Sequence, residues 1–237
     1  MFIFRYHRQW VQCPELPPLK YALPNGIVAF GGEYSAECFL KAYQRGIFPW
    51  PSGDPDDLIP WFCPPERFVL EPAGLHISHS LRQTLKRHKF SICADRAFRD
   101  VIHQCAIAKR QDDGTWITKG MEETFCALHE LGVAHSVECY LDGELAGGFY
   151  GTCFGQIFGG ESMFTKVSDA TKVAFVTFVK RAQKFGIKLI DCQCYTDNMA
   201  RYGAHDIPRD DYLEMLNRYQ NQPLPDDFWS GPWECSP

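Results

Sequence analysis

Two polar residues near the end of an apolar segment are the first candidates for chemistry. The sequence from 188 to 194 predicts a strand, and it carries Asp191 and Gln193 two positions apart. Residues at that spacing share one face of a strand, roughly 7 Å apart at the usual rise per residue. An acid and an amide would therefore point to one surface, either as a reactive pair or as strand-end groups that hydrogen-bond neighbouring backbone.

Glu161 is the third candidate. It follows Gly159 and Gly160, where glycines permit a close backbone approach or a β-bulge. Its carboxylate could then reach the same pocket as Asp191 and Gln193, although an ordinary acid before a helix is the alternative. Together the three side chains would form a negative, hydrogen-bonding pocket, which suits a cationic amine better than a phosphate.

Four cationic side chains lie close together with no acid between them. Arg82, Lys86 and Lys89 fall at i, i+4 and i+7, which predicts one face of a helix. Such a face can bind a phosphate backbone, or it can be an ordinary charged surface. We call Arg82, Lys86, Arg87 and Lys89 the basic stripe.

Three tryptophans have Pro or Gly residues close by. Trp50, Trp61 and Trp116 are therefore expected in or near loops, where flat rings often stack on a nucleobase or line an apolar pocket. Because most aromatic residues are simply core, both interpretations stay open for each one.

The composition restricts the class of protein. The chain has 237 residues and a formal net charge of −5, which excludes a generally cationic nucleic-acid or membrane-surface protein. Any polyanion must therefore meet a local basic patch. No segment approaches the ~18 apolar residues of a membrane span, and Arg5 and Arg8 interrupt the beginning, where a secretory signal needs an apolar core. We expect a cytoplasmic protein that does not contact a membrane.

The cysteines favour structure over metal chemistry. There are 11, an odd number in no repeated spacing, so most are expected to be reduced thiols used as small core residues. Cys192 and Cys194 form the one close pair, and the second pair that a zinc site needs is missing. No metal is expected.

The elements that position these residues are of mixed type. Pro-rich segments at 14–24 and 49–65 frame a small N-terminal domain, residues 1–68, before a larger domain over 69–237. Capping residues and periodicity predict helices over 36–45, 95–108, 120–131, 169–185 and 209–219, the first opened by Ser35 and the second by Asp95. Alternation predicts strands over 90–93, 134–141, 144–152, 157–160 and 188–194, and Asp112-Asp113-Gly114 predicts a turn.

This α+β order resembles an acetyltransferase-like (GNAT-like) domain with a mixed sheet and flanking helices. That fold commonly binds coenzyme A through a Gly-rich loop at a helix start. The corresponding segment here, SMFTKVSD at 162–169, has no glycine. We therefore expect the fold without the coenzyme site, and no cofactor.

Six segments, in this order and spacing, resemble the leucyl/phenylalanyl-tRNA-protein transferase family over residues 25–229. They are GGEYSAECFLKAYQRGIFPW, SLRQTLKR, GTWIT, LHELGVAHSVE, GGESMF and LIDCQ. The resemblance implies an enzyme that moves leucine, phenylalanine or also methionine from charged tRNA to the α-amine of proteins beginning with Arg or Lys. It further implies a cytoplasmic monomer whose product is an N-end rule degradation signal.

The resemblance also assigns roles to residues. It implies catalytic roles for Asp191, Gln193 and Glu161, binding of the aminoacyl-adenosine end by Trp50, Trp116, Phe125, Phe149 and Met163, and tRNA binding by the basic stripe. Asp191 would orient Gln193, whose side-chain carbonyl accepts a hydrogen bond from the attacking amine, while Glu161 holds the cationic N-terminal residue. Three positions depart from the family pattern: Phe62, Phe125 in place of a tyrosine, and Asn198 in place of a histidine.

Three other functions are compatible with parts of this pattern. A related class transfers leucine to N-terminal Asp or Glu, but an acidic pocket argues against an acidic acceptor. A coenzyme-A acetyltransferase would need the missing phosphate loop. A module that only binds basic N-termini would need neither an adenosine pocket nor the basic stripe.

Overall fold

The computed structural model describes residues 16–54, 57–108 and 115–233. The helices of this part are α1 (Ala36–Tyr43), α2 (His79–Lys86), α3 (Phe98–Ile107), α4 (Lys119–Glu130), α5 (Ala170–Phe185), α6 (Asp197–Ala200), α7 (Arg209–Tyr219) and α8 (Asp227–Ser230). Its strands are β1 (Ile27–Phe30), β2 (Phe48–Pro49), β3 (Pro60–Phe62), β4 (Glu66–Leu70), β5 (Ser91–Ala94), β6 (Ala134–Leu141), β7 (Glu144–Phe154), β8 (Ile157–Thr165), β9 (Leu189–Asp191) and β10 (His205–Pro208).

The strands form two sheets. A small sheet has the order β1-β3-β2, and a large one has the order β10-β4-β9-β8-β7-β6-β5. The large sheet is mixed because β8 and β9 run parallel while its other recorded pairs are antiparallel. A parallel pair needs a long crossover, which α5 supplies between these two strands. The predicted α+β class with a mixed sheet is confirmed.

Two main apolar cores hold the layers together. One packs α5 on the large sheet, with Phe149 and Phe178 at its centre. The other joins the N-terminal elements to α3 and α4, and Phe39 meets both Trp61 and Phe125 there, with ring centroids 5.5 and 5.6 Å apart. The N-terminal elements are thus part of a shared core. The predicted boundary after residue 68 falls within β4 and stays a prediction.

Most predicted helix bounds are confirmed to within a few residues. Of the two predicted helix caps, one is confirmed and the other is wrong. The Ser35 hydroxyl accepts a hydrogen bond from the Cys38 amide and caps α1 as predicted. Asp95 does not cap α3, which begins three residues later at Phe98. Its carboxylate instead accepts the Ser136 amide at 2.9 Å, and therefore belongs to the sheet. The predicted turn at 112–114 lies outside the described residues.

Two strand lengths differ from the prediction, and both differences affect the polar residues. β8 continues to Thr165, so Glu161 lies within the strand and not at its end. β9 ends at Asp191, so Gln193 lies beyond it. The hairpin between β6 and β7 turns at Asp142-Gly143 as predicted, with φ of 52° and 85°.

The cysteines agree with the expectation that most of them are reduced thiols. Eight described cysteines are free thiols: Cys63, Cys93, Cys105, Cys126, Cys139, Cys153, Cys192 and Cys194. Among the described helices, none combines the length and apolar character needed to cross a bilayer. Within the same part of the chain, no group of three His, Cys, Asp or Glu side chains is arranged to hold a metal ion.

Candidate active site

Two cavities lie side by side where β8, β9 and the segment after β9 meet. Their volumes are about 320 and about 200 Å³. They adjoin because they share the lining residues Trp116, Gly160, Glu161, Cys192 and Thr196. We call them the apolar cavity and the aromatic cavity. Because Glu161 is one of the shared lining residues, it lies at the junction of the two cavities and lines both.

The apolar cavity is lined mainly by carbon and sulfur. Phe149 of β7 and Met163 of β8 are register partners on neighbouring strands, so their side chains lie on one face of the sheet. Phe175 of α5 and Ile190 of β9 also line this cavity. Burial of a leucine- or phenylalanine-sized group in such a cavity contributes about 1.5–3 kcal/mol. Phe149 and Met163 thus lie where the sequence analysis expects them, and their contact with a ligand stays a prediction.

A polar contact fixes one side of the apolar cavity. The Asn198 amide nitrogen lies 3.3 Å from the Met163 sulfur, and both side chains line the cavity.

The aromatic cavity has flat, partly exposed walls. Trp50 and Tyr195 are 46% and 60% exposed, and both line it together with Trp116 and Gln193. Exposed aromatic faces beside a polar pocket suit stacking on a nucleobase. Tyr195 was not predicted from the sequence, although its position two residues after Gln193 was an available signal.

A buried ion pair lies directly behind the cavities. The Arg67 guanidinium donates to Asp191 through Nε and Nη2 at 2.7 and 2.6 Å, a bidentate pair in which Arg67 is 2% exposed. Its Nη1 donates to the Gly46 carbonyl, and its plane lies over the rings of Phe48 and Tyr212, 4.6 and 4.4 Å from their centroids. Sequence analysis did not identify Arg67, since nothing local marks a partner 124 positions away.

Asp191 has no hydrogen-bonding capacity left for a substrate. Besides the two hydrogen bonds from Arg67, its Oδ1 accepts a hydrogen bond from the backbone N–H of Gln193 at 2.8 Å. Its Oδ2 accepts one from the Tyr212 hydroxyl at 2.9 Å. It is 4% exposed and lines neither cavity. The expectation that Asp191 and Gln193 share a strand face is wrong, because β9 ends at Asp191. The carboxylate instead positions Gln193 through the backbone.

Gln193 adopts an unusual backbone conformation. Its φ is 63°, and the Cys194 amide donates to the Cys192 carbonyl at 2.8 Å, which closes a turn of three residues around it. A γ-turn with positive φ is rare and strained in a non-glycine residue. The Phe68 amide and the Asp191 carboxylate hold the turn from both sides. The strain is localised at the residue whose side chain enters the aromatic cavity.

Glu161 is aimed by a β-bulge. Tyr150 pairs with Ser162 while Gly151 pairs with Gly160, so Glu161 is the extra residue on β8. The bulge that the two glycines suggested is confirmed. It places the carboxyl at the junction of the cavities.

Burial changes the acidity of Glu161. It raises the pKa of the carboxyl from 4.5 to about 7, although the nearby Tyr43 hydroxyl and Gln193 side chain favour the charged form. Glu161 Oε1 and the Tyr43 hydroxyl are both buried, and although the two groups lie close together, neither atom makes a hydrogen bond of normal length and angle within the described part of the chain. Of the two residues only Glu161 lines the cavities, and its incompletely paired carboxyl marks a place where a ligand group can bind.

Two further predictions need correction. Phe125 is fully buried between Phe39 and Tyr150 and lines neither cavity, so its predicted contact with the adenosine end is not supported. The basic stripe is exposed, but α2 ends at Lys86, so Lys89 does not share a helical face with Arg82. None of the four stripe residues lines either cavity.

A reaction that joins two substrates needs two adjoining sites, and this geometry defines a candidate group-transfer enzyme. The sequence pattern of leucyl/phenylalanyl-tRNA protein transferases matches residues 69–217, and that of their N-terminal domain matches residues 32–65. The chain belongs to this family, which is one of aminoacyltransferases.

Individual relatives are similar over most of their length. Leucyl/phenylalanyl-tRNA–protein transferases from Myxococcus xanthus and Laribacter hongkongensis are 48% and 42% identical, over 92% and 90% of this chain and 93% and 91% of theirs. A solved structure described as a GCN5-related N-acetyltransferase-like protein from Streptococcus suis is 13% identical over 73% of this chain and 64% of that chain, with a TM-score of 0.31.

Arg67→Met should destabilise the protein by about 3–5 kcal/mol, because it leaves the Asp191 charge buried without its partner. The double variant Arg67→Met/Asp191→Leu should recover much of that loss, since both charges are removed together. Chemical denaturation measures both effects. Arg82→Met is the matched control at an exposed arginine, and an equal loss in the two single variants would contradict the role given to the ion pair.

Glu161→Gln should stabilise the protein at pH 8 and have little effect at pH 4.5. The folded state keeps the Glu161 proton up to about pH 7, whereas the unfolded chain releases it near 4.5, so wild-type stability falls as pH rises through that window. The glutamine has no charge to bury. Melting temperatures from pH 4.5 to 8 check this, with the exposed Glu37→Gln as control. A pH-independent difference would exclude the desolvation of Glu161 as its cause.

Proposed function

We propose that this protein transfers leucine or phenylalanine from charged tRNA to the N-terminal α-amine of proteins that begin with Arg or Lys. The junction of the two cavities at Glu161 is the observation that carries the proposal. One cavity suits an apolar amino-acid side chain, and the other has aromatic walls for the terminal adenosine. Methionine is a further donor that the apolar cavity can accept.

Donor binding follows from the two linings. The aminoacyl side chain enters beside Phe149 and Met163, and the adenine stacks on Trp50 or Trp116. The ester carbonyl then lies between them, near Glu161 and Gln193. The basic stripe adds phosphate contacts that do not depend on RNA sequence. The reaction takes place in the cytoplasm, where charged tRNA is found, and a monomer suffices because one chain lines both cavities.

The reaction forms one bond and breaks one. The neutral α-amine attacks the ester carbonyl, the C–N bond forms, and the bond to the ribose oxygen breaks as that oxygen takes up a proton from the amine. Because the ester is already activated, no ATP is needed. Orientation can contribute on the order of 7–11 kcal/mol, whereas a general base typically contributes about 10²–10⁴-fold, so positioning dominates.

The roles of the polar residues follow from their contacts. Gln193 offers its side-chain carbonyl to the attacking amine. Asp191 is a positioning residue because its carboxylate accepts a hydrogen bond from the backbone N–H of Gln193. Glu161 receives the cationic end of the acceptor. Above about pH 7 it is charged, and its attraction for an Arg or Lys side chain is then greatest.

A transfer assay tests the proposed reaction directly. Labelled leucyl-tRNA is mixed with the protein and with two peptides that differ only in beginning with Arg or Asp. We expect label in the Arg peptide alone, because the acceptor side meets the Glu161 carboxyl. Transfer to the Asp peptide would assign the related specificity. Bound charged tRNA with no transfer to either peptide would contradict an enzymatic role.

Gln193→Gly should lower single-turnover transfer by on the order of 10²-fold, the usual effect of removing one aligned hydrogen-bonding group. It should not unfold the protein, because glycine adopts positive φ without strain. Asp142→Gly is the matched control, since Asp142 also has positive φ but lies in the distant β6–β7 hairpin. A Gln193→Gly enzyme as fast as this control would remove Gln193 from the mechanism.

A further inference from the structure

A third cavity, of about 250 Å³, lies between α5 and the C-terminal segment, away from both active-site cavities. Its lining includes Lys180, Arg181 and Lys184 of α5 and Asp227 and Trp233 of the C-terminal segment. We call it the α5 groove. Among the described residues that line it, three cations face one carboxylate, which makes the groove positively charged.

Arg181 builds the groove. Its guanidinium donates to the carbonyls of Asp227, Phe228 and Pro232, and thereby holds the C-terminal segment against α5. Its plane lies 4.7 Å from the centroid of Trp233. Because Arg181 is committed to these contacts and lies close to Asp227, Lys184 carries most of the charge that a partner would meet.

The groove adjoins the basic stripe. α2 packs against α5. Burial lowers the pKa of Lys180, and the nearby positive charge of Arg82 in the stripe lowers it further. Among the described residues, no carboxylate lies within 4.0 Å of the cationic atoms of Arg82 or Lys184. Cations gathered against their mutual repulsion, with few acids among them, suit a polyanion.

The same helix connects the groove to the apolar cavity. Phe175 lines that cavity, and Lys184 lies nine residues further along α5, about 14 Å away at the helical rise. A nucleic acid whose aminoacyl end occupies the active site therefore has its backbone within reach of the groove. An acidic protein has no such tether, so the geometry favours RNA.

We propose that the α5 groove, through Lys180 and Lys184, binds the phosphate backbone of the aminoacyl-tRNA and continues the tRNA surface from α2 onto α5. The inference rests on the proposed function and extends it, because nothing else assigns α5 to RNA contact. The lysines act as sequence-tolerant point charges. They affect how tightly the tRNA binds and have no part in the transfer step.

Lys184→Gln and Lys180→Gln test this against Lys172→Gln as a matched control. Lys172 is also exposed on α5 but pairs with Asp169 outside the groove. The dissociation constant for leucyl-tRNA is measured between 50 and 200 mM salt on the full chain, an ordinary range for resolving the salt dependence. Transfer is also measured from leucyl-adenosine, a donor without phosphates. Melting temperatures confirm that each variant is folded.

We expect each groove variant to bind leucyl-tRNA several-fold more weakly and to reduce the salt slope by about 1, as for the loss of one phosphate contact. Transfer from leucyl-adenosine should not change, and Lys172→Gln should match the wild type in both assays. Groove variants that bind leucyl-tRNA like Lys172→Gln would overturn the inference and leave an acidic protein as the candidate partner. Equal losses with both donors would also overturn it.

The outcome also separates this inference from the proposed function. Weakened tRNA binding by the groove variants of a protein that transfers no leucine would support the groove and reject the enzymatic proposal. Normal transfer by the wild type, together with groove variants that bind leucyl-tRNA as tightly as the wild type, would support the enzymatic proposal and reject the groove.

Discussion

The buried ion pair between Arg67 and Asp191 is the constraint on which the site depends. Two charges removed from water are tolerated only when every donor and acceptor is matched, and here each carboxylate oxygen accepts two hydrogen bonds. The partners come from β4, the end of β9, α7 and the backbone before β2. One electrostatic requirement therefore fixes how four separate parts of the chain meet. The turn at Gln193 is held by the same requirement, because its backbone N–H donates one of the four hydrogen bonds that Asp191 accepts.

Charge is distributed unevenly around this pair. Among the described residues, Arg67 is the cation that pairs with Asp191. The Asp191 carboxylate neutralises its charge. Among the described residues Glu161 forms no ion pair within 4.0 Å, and burial raises its pKa to about 7. A neutral acid can accommodate the apolar donor, and its ionised form attracts a cationic acceptor. In the proposed reaction the same residue therefore serves both substrates at a pH near neutrality.

Local sequence signals predicted much of this arrangement. Ser35 capped its helix, the hairpin at Asp142-Gly143 formed, and the two glycines before Glu161 marked a bulge, because each depends on residues a few positions apart. The ion pair, Tyr43 and the exact end of β9 were not predicted. They depend on contacts between distant segments, which spacing along a sequence does not encode. The same limit explains Phe125, whose aromatic character fits a ligand site or a core equally well.

The position of Tyr212 in the sequence has a consequence for synthesis on the ribosome. Its hydroxyl completes the shell around Asp191, and it lies on α7, which follows β9 along the chain. A nascent chain that has released β9 still lacks this donor and the ring that covers Arg67. The strained turn at Gln193 is then held by an incomplete set of contacts. The site at Asp191 is therefore complete only once the chain has been made as far as α7, whose Tyr212 lies 21 positions after Asp191.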